Sequence, residues 1–485
     1  LYQLLGRLYG TNNFPDCSNM CHESSGVGMG ESIGTGKGTV SLEDFEKADA
    51  IFIFGQNPGT NHPRMLTELE RASKRGAKIV SFNPLKESGL LAFTHPQHAV
   101  DMLLNRSTPI SSSYYQVSVG GDLAAVRAMI KHILELEESR SGILDREFIG
   151  EQTHGFDAFR AMVESTSWED LLDQCGLSRR EITEAAETYI RAESVICCWA
   201  MGLTQHRHGV ANIQEIVNLL LLRGNIGRPG AGPCPVRGHS NVQGDRTMGI
   251  TEFPTESFLG ALEKNFGFTA PRKHGYSVIH AIKAMAEGKA RFFLGMGGNF
   301  ASATPDSDLT WRALSNCDMT VHVSTHLNRS HVIHGRSALI LPCLGRSEAD
   351  YQASGRQSVT VEDSMSMVHA STGINKPASP ELWSEPAIVA GLGRALFPDG
   401  PVDWEALVGD YDLIRGRIEA VIPGFEGYNT RIKERGGFHL RNPASHREWK
   451  TGNGKANFST NPLPDLSIAP GRLRLMTVRS HNQYN

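Results

Sequence analysis

Two neighbouring residues near the start of the chain, Cys21 and His22, have side chains suited to redox or acid–base chemistry. A thiolate is a soft ligand for the heavier transition metals and also a nucleophile, and a histidine titrates near neutral pH. None of the eight cysteines forms a C-x-x-C pair, so the dipeptide indicates either a single metal–sulfur bond or a nucleophile with remote His or Asn partners. A buried, inert Cys–His pair is the structural alternative.

A Gly- and Pro-rich segment, Gly230–Gly244, carries a second group of polar side chains that includes Arg237 and His239. We expect no regular secondary structure there, and long ordered loops commonly carry binding or catalytic residues. The planar guanidinium of Arg237 suits the binding of a small anion. A surface connector with a solvated arginine is the alternative.

Strand-like apolar runs followed by loops that contain an asparagine predict two α/β units. In the first unit, Ala48–Phe54 precedes a loop with Asn57 and a second strand-like run, Lys78–Phe82; in the second unit, Ala290–Leu294 precedes a loop with Asn299. Ligands bind at the carboxyl ends of parallel strands. Each asparagine amide is therefore a candidate contact for a heterocycle or a ribose, with an ordinary turn residue as the alternative.

Further elements are predicted between these units and after them. Ser194–Trp199 predicts a buried strand, and the apolar spacing that follows predicts a helix that ends at Gly224 or Gly227. Near the end of the chain, helices are predicted around 386–397 and 404–422. The last region is otherwise unpatterned, and the sequence indicates no role for it.

Composition limits the classes of function. With 485 residues, 40% of them hydrophobic, the chain has room for two to four domains with cores, which excludes a disordered tail or a coiled coil. A net charge of −4 without a basic block argues against a nucleic-acid or anionic-membrane binder and favours a ligand in a cleft. No apolar run reaches the roughly 18 residues that span a bilayer. The cysteines form no disulfide framework, so we expect a cytoplasmic location.

The ends of the chain are expected to be those of a fragment. Residue 1 is Leu rather than Met, and the polar residues 479–485 directly follow the strand-like Leu473–Val478. A signal peptide or an N-terminal cluster motif would then lie outside this chain.

Five separated segments occur in the same order as in a known family, and the chain resembles the catalytic subunit of molybdopterin-guanine-dinucleotide oxidoreductases, most closely the formate-dehydrogenase-like branch. The segments are Met20–Gly26, Phe54–Pro63, Trp199–Gln205, Leu222–Gly232 and Pro235–Gly244. The resemblance covers nearly the whole chain and is strongest between about residues 12 and 345. It implies an α/β, multi-domain fold with two doubly wound dinucleotide-binding-like domains, a truncated N-terminal cluster domain and a truncated C-terminal cap domain.

The resemblance also implies domain boundaries. Residues 1–16 and 240–345 would form an α/β domain that binds one guanine dinucleotide, and residues 17–239 an α/β domain that carries the metal ligand and the other dinucleotide. Residues 346–469 would form a mixed linking region. Residues 470–485 would begin the C-terminal cap domain.

Carried over by position, the resemblance implies roles for three reactive residues. Cys21 matches the Cys or selenocysteine that binds molybdenum or tungsten, His22 the histidine beside it, and Arg237 the arginine over the metal. In formate dehydrogenases the arginine holds the carboxylate, the metal–sulfido centre takes the electrons, and the thiolate and histidine manage the proton. The resemblance thus implies Cys21 as metal ligand, His22 as proton acceptor and Arg237 as substrate anchor.

The resemblance implies cofactor contacts as well. They are Gly55, Asn57, Thr60 and Asn83 at one dinucleotide; Met201, Gln205 and His239 around the pterins; Asn299, Ser324 and Thr325 at the other dinucleotide; and Arg479, His481 and Gln483 in the cap domain.

The implied function is the two-electron oxidation of formate, or of a related small substrate, at a molybdenum (or tungsten) bis(molybdopterin guanine dinucleotide) centre. An unidentified subunit would accept the electrons, and a 4Fe–4S cluster would belong to the N-terminal part that this chain lacks. A relative acting on another oxyanion such as nitrate is one alternative, although that branch usually lacks the His after the Cys. A non-catalytic scaffold in an electron-transfer complex is another. No nucleic-acid partner and no membrane span are expected.

Some positions depart from the family pattern. His239 stands where formate dehydrogenases often have Gln, and Asn83 and Asn299 stand where acidic residues are common. The run Thr325–His331 resembles a subgroup linked with acid resistance. The resemblance therefore defines the family and leaves the substrate open.

Overall fold

A computed structural model describes residues 1–478, and the predicted cofactor contacts Arg479, His481 and Gln483 lie outside the described residues. The described residues form an α/β structure with two larger parallel sheets, a two-stranded parallel sheet, smaller antiparallel sheets and surrounding helices. The predicted α/β fold class is confirmed. The predicted domain boundaries stay a prediction.

The helices of the first 250 residues are α1 (Tyr2–Leu8), α2 (Ser18–Cys21), α3 (Glu23–Ile33), α4 (Pro58–Asn61), α5 (Met65–Arg75), α6 (Ser88–Leu91), α7 (Ala99–Leu103), α8 (Asp122–Ser139), α9 (Arg146–Gln152), α10 (Phe156–Ser165), α11 (Trp168–Cys175), α12 (Arg179–Arg191), α13 (Met201–Thr204), α14 (Gly209–Leu221) and α15 (Val242–Thr247). The later helices are α16 (Glu256–Phe266), α17 (Val278–Ala286), α18 (Phe300–Ala303), α19 (Ser307–Ser315), α20 (Glu385–Leu396), α21 (Trp404–Gly409), α22 (Tyr411–Val421) and α23 (Tyr428–Arg431).

The strands up to residue 342 are β1 (Ala50–Phe54), β2 (Lys78–Phe82), β3 (Ala92–Phe93), β4 (Thr108–Pro109), β5 (Ser113–Tyr115), β6 (Thr153–His154), β7 (Val195–Trp199), β8 (Gly232–Pro235), β9 (Phe292–Met296), β10 (Met319–Ser324) and β11 (Ser337–Pro342). The later strands are β12 (Tyr351–Gln352), β13 (Gly355–Arg356), β14 (Val359–Glu362), β15 (Met367–Ser371), β16 (Phe438–His439) and β17 (Ala456–Asn457).

The first sheet is parallel, with strand order β5-β2-β1-β7-β8. Its central strand β1 is buried along its whole length, because helices cover both faces of the sheet. Phe52 and Phe54 point into the larger core with helices α8 and α14, whereas Ile51 and Ile53 point into the core on the other face with α5. Burying each such side chain contributes roughly 1.5–3 kcal/mol. The hydrophobic effect thus holds the loops at the strand ends in place.

The second sheet is also parallel, with strand order β11-β10-β9. Helices α17 and α19 contribute Ile282, Met285 and Leu314 to the core beside it. The edge strand β11 remains open to solvent, and its Leu339 and Ile340 are about 40% exposed. This smaller unit carries the loop with Asn299 at the carboxyl end of β9.

Most of the strands and helices predicted from the sequence are confirmed, but the prediction of an irregular loop over Gly230–Gly244 was wrong in part. Strand β8 lies inside this segment, and helix α15 begins in it at Val242. Strand β8 is an edge strand that pairs only with β7, so Pro233 and Pro235 interrupt few hydrogen bonds. Helix α3 forms although it contains three glycines, which are poor helix formers. A Cβ atom at Gly28 would lie 3.2 Å from the Cβ of Ile213, so the glycine permits the close contact with α14.

The region after residue 346 packs onto the rest of the chain. It forms the antiparallel sheet β14-β15-β16 and helices α20–α22, and its residues Trp449, Ala456 and Phe458 enter the core of the first sheet. Among the described residues, no helix is both long and apolar enough to cross a bilayer.

Asp122 is an unusual buried acid at the start of α8. Asp122 is 5% exposed, and its Oδ1 atom has no hydrogen-bond partner. Burial raises the pKa of Asp122 to about 7. Because the unfolded chain releases this proton near pH 4, the folded state binds more protons between about pH 4 and 7. The free energy of unfolding therefore falls as the pH rises through this range.

Replacing Asp122 by Asn is expected to stabilise the protein at pH 8, on the order of 2 kcal/mol more than at pH 5, because the buried negative charge is removed. Thermal unfolding of wild type and variant at both pH values measures the difference. Asp157→Asn is the control, since Asp157 is an exposed aspartate in the first turn of α10. An equal effect of Asp122→Asn at the two pH values would contradict the expectation.

Candidate functional site

The carboxyl ends of four parallel strands bring predicted site residues to one edge of the first sheet. Asn83 follows β2, Gly55 follows β1, and Arg237 comes two residues after β8. Met201 begins helix α13, after β7. Strand β1 has β2 on one side and β7 on the other, so the chain winds in opposite directions from it. Open α/β sheets bind their ligands at such a reversal.

Cys21 is buried against the loop after β7. It is the last residue of α2, is 2% exposed, and its Sγ lies 3.5 Å from the Sδ of Met201. Thr204 Oγ1 donates a hydrogen bond to the carbonyl oxygen of Cys21, and Gln205 Nε2 donates to that of Met20. The segment that carries the thiol is thus fixed to the carboxyl edge of the first sheet.

A buried chain of hydrogen bonds joins His22 to the segment that carries Arg237. The Trp199 indole Nε1–H donates to Ser25 Oγ over 2.9 Å, and Ser25 Oγ lies 2.9 Å from His22 Nδ1. His22 Nε2 lies 3.1 Å from the carbonyl oxygen of Val236. A carbonyl only accepts, so Nε2 carries the proton and Nδ1 accepts the hydrogen bond from the Ser25 hydroxyl.

The surroundings of His22 favour a neutral ring. Burial lowers its pKa to about 3, the positive charge of Arg237 acts in the same direction, and the hydrogen bond to Val236 opposes them. With both ring nitrogens engaged, His22 is a poor proton acceptor in this arrangement. The role of proton acceptor stays a prediction, and the contacts show that the ring joins the Cys21 segment to the end of β8.

The main chain of Arg237 is held by three distant side chains. His22 contacts the carbonyl oxygen of Val236, the residue before Arg237. His62 Nε2 lies 3.1 Å from the carbonyl oxygen of Arg237 itself, and the Arg237 N–H donates to Ser364 Oγ over 3.2 Å. These partners come from a helix start, the loop after β1 and the region after residue 346. Their convergence fixes the backbone at the end of β8.

The guanidinium of Arg237 is held as well. Its two terminal nitrogens donate to Gln243 Oε1 over 2.7 Å and to the carbonyl oxygen of Gly36 over 2.8 Å. Burial lowers the pKa of Arg237, whereas Cys21 and Glu362 oppose that effect. The side chain is only partly exposed and is pre-oriented by its neighbours.

A small polar cavity of about 120 Å³ lies beside Arg237. His239, Gln243, Glu362 and Ser364 contribute to its lining. Since a water molecule takes about 30 Å³ of liquid volume, the cavity suits a molecule of a few non-hydrogen atoms. A larger cavity, about 540 Å³, lies between α16, α21 and α22 and includes none of the predicted site residues.

The residues predicted to contact the first dinucleotide also shape their own loop. Asn57 caps α4, since its Oδ1 accepts from the Thr60 N–H over 3.2 Å, and its Nδ2 donates to Glu87. Asn83 Nδ2 donates to the carbonyl of Gln56 over 3.2 Å. These contacts match the alternative of turn residues, and a role toward a ligand stays a prediction.

The residues predicted for the other dinucleotide lie on the second sheet. Asn299 follows β9 and accepts a hydrogen bond from Ser330 Oγ over 3.0 Å. Ser324 ends β10 and donates to the carbonyl of His326 over 2.8 Å, and the adjacent Thr325 is exposed. The structure therefore places these residues at the carboxyl edge of the second sheet.

Sequence reasoning missed most of the residues that orient Arg237. His62 lies in the segment Phe54–Pro63 and Gln243 in Pro235–Gly244, both of which resemble the family. These motifs could therefore have marked the two residues as candidates. Ser25 adjoins His22 in the same motif. Glu362 and Ser364 lie in the unpatterned region, and nothing in the local sequence marks them.

The comparisons with known proteins agree with the family resemblance. Residues 1–343 match the family model described as molybdopterin oxidoreductase. Over 493 aligned residues the chain is 53% identical to Protein YdeP of Escherichia coli K12, which covers 100% of this chain and 65% of YdeP. Formate dehydrogenase H of Escherichia coli K12 is 32% identical over 240 residues, 50% of this chain and 30% of that protein. The chain thus spans about 65% of the length of YdeP.

A solved structure supports the fold. Acetylene hydratase from Pelobacter acetylenicus superposes with a TM-score of 0.65 at 17% identity, over 94% of this chain and 61% of that one. At this identity the likeness concerns the fold alone, and it confirms the predicted molybdopterin oxidoreductase fold.

Replacing Ser25 by Ala is expected to lower the free energy of unfolding by about 1–3 kcal/mol, because it leaves the Trp199 N–H and His22 Nδ1 buried without their partner. Chemical unfolding measures the change. Ser32→Ala is the matched control, since Ser32 is equally buried in α3 and its hydroxyl has only a 3.4 Å contact to Ser459 Oγ. A loss no greater than in the control would show that the buried chain contributes little.

Proposed function

Because the chain belongs to the molybdopterin oxidoreductase family, we propose that it is part of a molybdenum- or tungsten-dependent enzyme that oxidises formate, or a related small substrate, by two electrons. The proposal extends to the bis(molybdopterin guanine dinucleotide) form of the cofactor. The likeness to formate dehydrogenase H supports the substrate class. Oxidation of formate to carbon dioxide releases one proton and two electrons.

The observation that carries the proposal is the joining of Cys21 and Arg237 in one hydrogen-bonded unit. His22, next to Cys21, holds the carbonyl that precedes Arg237. A thiol ligand and an anion-binding guanidinium are thereby fixed relative to each other before any ligand arrives. Formate oxidation needs this pair, because a negatively charged substrate must be held beside a redox centre.

The residues at this edge fit a molybdopterin. The thiol of Cys21 and the thioether of Met201 supply soft sulfur atoms of the kind that suit the heavier transition metals. The loops after β1 and β7 meet through bare backbone, since a Cβ at Gly202 would lie 2.5 Å from the Cα of Gly55. At this point of contact, neither glycine places a side chain of its own at the strand edge.

In the proposed enzyme, Cys21 would be the metal ligand, and Gly55, Met201, Gln205 and His239 would contact the cofactor. When bound, the cofactor supplies the two-electron redox chemistry. Arg237 would hold the substrate carboxylate through its remaining guanidinium donors. The neighbouring carbonyl of Gly36 and the amide of Gln243 keep the guanidinium plane fixed, and a small polar cavity lies beside it.

Three parts of the proposal concern the intact protein. The family resemblance supports a 4Fe–4S cluster outside this chain and a separate electron-accepting subunit. The spacing of the cysteines gives no disulfide framework, which supports a cytoplasmic location. The second candidate function, reduction of an oxyanion such as nitrate, is favoured by Arg237 but not by the His22 that follows Cys21.

Replacing Cys21 by Ala is expected to abolish formate-dependent reduction of an artificial electron acceptor, because the metal loses its protein ligand. Arg237→Lys is expected to raise the KM for formate about tenfold with a smaller change in kcat, since lysine keeps the charge but loses the planar pair of donors. Steady-state kinetics on the intact protein, purified without oxygen, measure both.

Arg106→Lys is the matched control, because Arg106 is an exposed arginine in the loop between α7 and β4. Nitrate with a reduced dye is assayed side by side with formate. Unchanged kinetics in both the Cys21 and the Arg237 variants would contradict the proposed function, and turnover of nitrate alone would favour the second candidate.

A further inference from the structure

Glu362 is a buried carboxylate that the family resemblance leaves without a role. It ends strand β14, is 4% exposed, and accepts hydrogen bonds from three side chains: Lys37, Thr247 and Gln243. Lys37 Nζ lies 2.6 Å from its Oε1 and balances its charge. Burying a charge costs desolvation free energy, which its hydrogen bonds must offset. The bonds to Lys37, Thr247 and Gln243 do this for Glu362.

The contact between Glu362 and Gln243 determines which way the Gln243 amide faces. Gln243 is 3% exposed, and its Nε2 donates to Glu362 Oε1 over 2.8 Å and to Ser366 Oγ over 3.0 Å. The amide oxygen therefore points to Arg237, where it accepts over 2.7 Å. In the flipped amide, the NH2 group would face the guanidinium and the oxygen would face the carboxylate, so both contacts would become repulsive.

The loop Gly34–Gly38 closes the same arrangement from the other side. Its Gly36 carbonyl accepts from Arg237, and its Lys37 bonds to Glu362. A Cβ at Gly36 would lie 3.0 Å from the Cα of Gly26, so this close approach leaves no room for a side chain. The guanidinium is therefore held between a fixed carbonyl and an amide whose orientation depends on a carboxylate.

We propose that Glu362 is a positioning residue for Arg237, which acts by locking the Gln243 amide with its oxygen toward the guanidinium. The positioning of Arg237 by Glu362 does not depend on the proposed function; only its effect on substrate binding rests on that function. It gives the region after residue 346 a specific part in the site, since that region supplies Glu362, Ser364 and Ser366.

The reactivity of Arg237 toward phenylglyoxal, an arginine-selective dicarbonyl, tests the proposal without any assumption about the substrate. In Glu362→Gln the Gln243 amide is free to flip, so we expect Arg237 in the intact holoenzyme to react about tenfold faster. Peptide mass spectrometry follows each arginine separately, and the exposed loop residue Arg106 serves as the internal reference. An unchanged Arg237 rate in Glu362→Gln would overturn the proposal.

Two further variants separate positioning from general loosening. Thr247→Val removes a hydroxyl that contacts Glu362, Lys37 and the main-chain carbonyl of Gln243, but it leaves the contact between the Glu362 carboxylate and the Gln243 amide. The Arg237 rate is therefore expected to stay within about twofold of wild type. The exchange Gln243→Glu with Glu362→Gln returns an acceptor to Arg237, so the rate is expected to fall back to the wild-type value or below. An equal rise in Thr247→Val, or no recovery in the exchanged pair, would overturn the proposal.

Kinetics with formate give a second readout that does depend on the proposed function. Glu362→Gln is expected to raise the KM for formate about tenfold at nearly constant kcat, because substrate binding needs the oriented guanidinium. If wild type does not oxidise formate, the proposed function fails while the reactivity of Arg237 still decides the positioning role. A fall in kcat at constant KM would contradict positioning of the anchor.

Discussion

The hydrogen bond from His22 Nε2 to the carbonyl oxygen of Val236 is the contact on which the rest of the site depends. It joins the helix end that carries Cys21 to the strand end that carries Arg237. Both partners are buried, so losing the bond would leave a polar group without water, at a cost of about 1–3 kcal/mol. Ser25 and Trp199 keep the ring in the tautomer that can donate, which makes the contact a property of the core as well as of the site.

Electrostatics explain why the region after residue 346 belongs to the same unit. A guanidinium near a buried thiol needs acceptors that orient it, and a full counter-charge in direct contact would occupy more of its donors. Gln243 separates Arg237 from Glu362, so the positive charge is oriented by a neutral amide while the carboxylate is paired with Lys37. The first sheet supplies the frame, and the later region supplies the polar wall of the small cavity.

The fold could be predicted where residue pattern and packing agree. The runs that became β1, β2 and β7 are apolar because helices bury both faces of that sheet, and the helical spacing of α14 reflects its burial in the same core. Strand β8 was missed because Gly232, Pro233 and Pro235 are poor strand formers, and it exists only because the edge of β7 was free to pair. Local sequence cannot show a pairing that the partner strand decides.

The candidate site could be predicted only in part, because some of its contacts are also decided by segments distant in the sequence. Cys21 and Arg237 were found from their chemistry and their motifs, and the structure joins their segments through His22. The burial of His22 and its two hydrogen bonds were not predictable, because Ser25, Trp199 and Val236 meet only in the fold.

Elemental analysis with X-ray absorption on the intact protein, purified without oxygen from a cofactor-competent host, tests the site most directly. We predict about one molybdenum or tungsten per chain and, in Cys21→Ser, one sulfur ligand fewer at the metal. A metal-free protein, or an unchanged metal environment in the variant, would contradict the assignment.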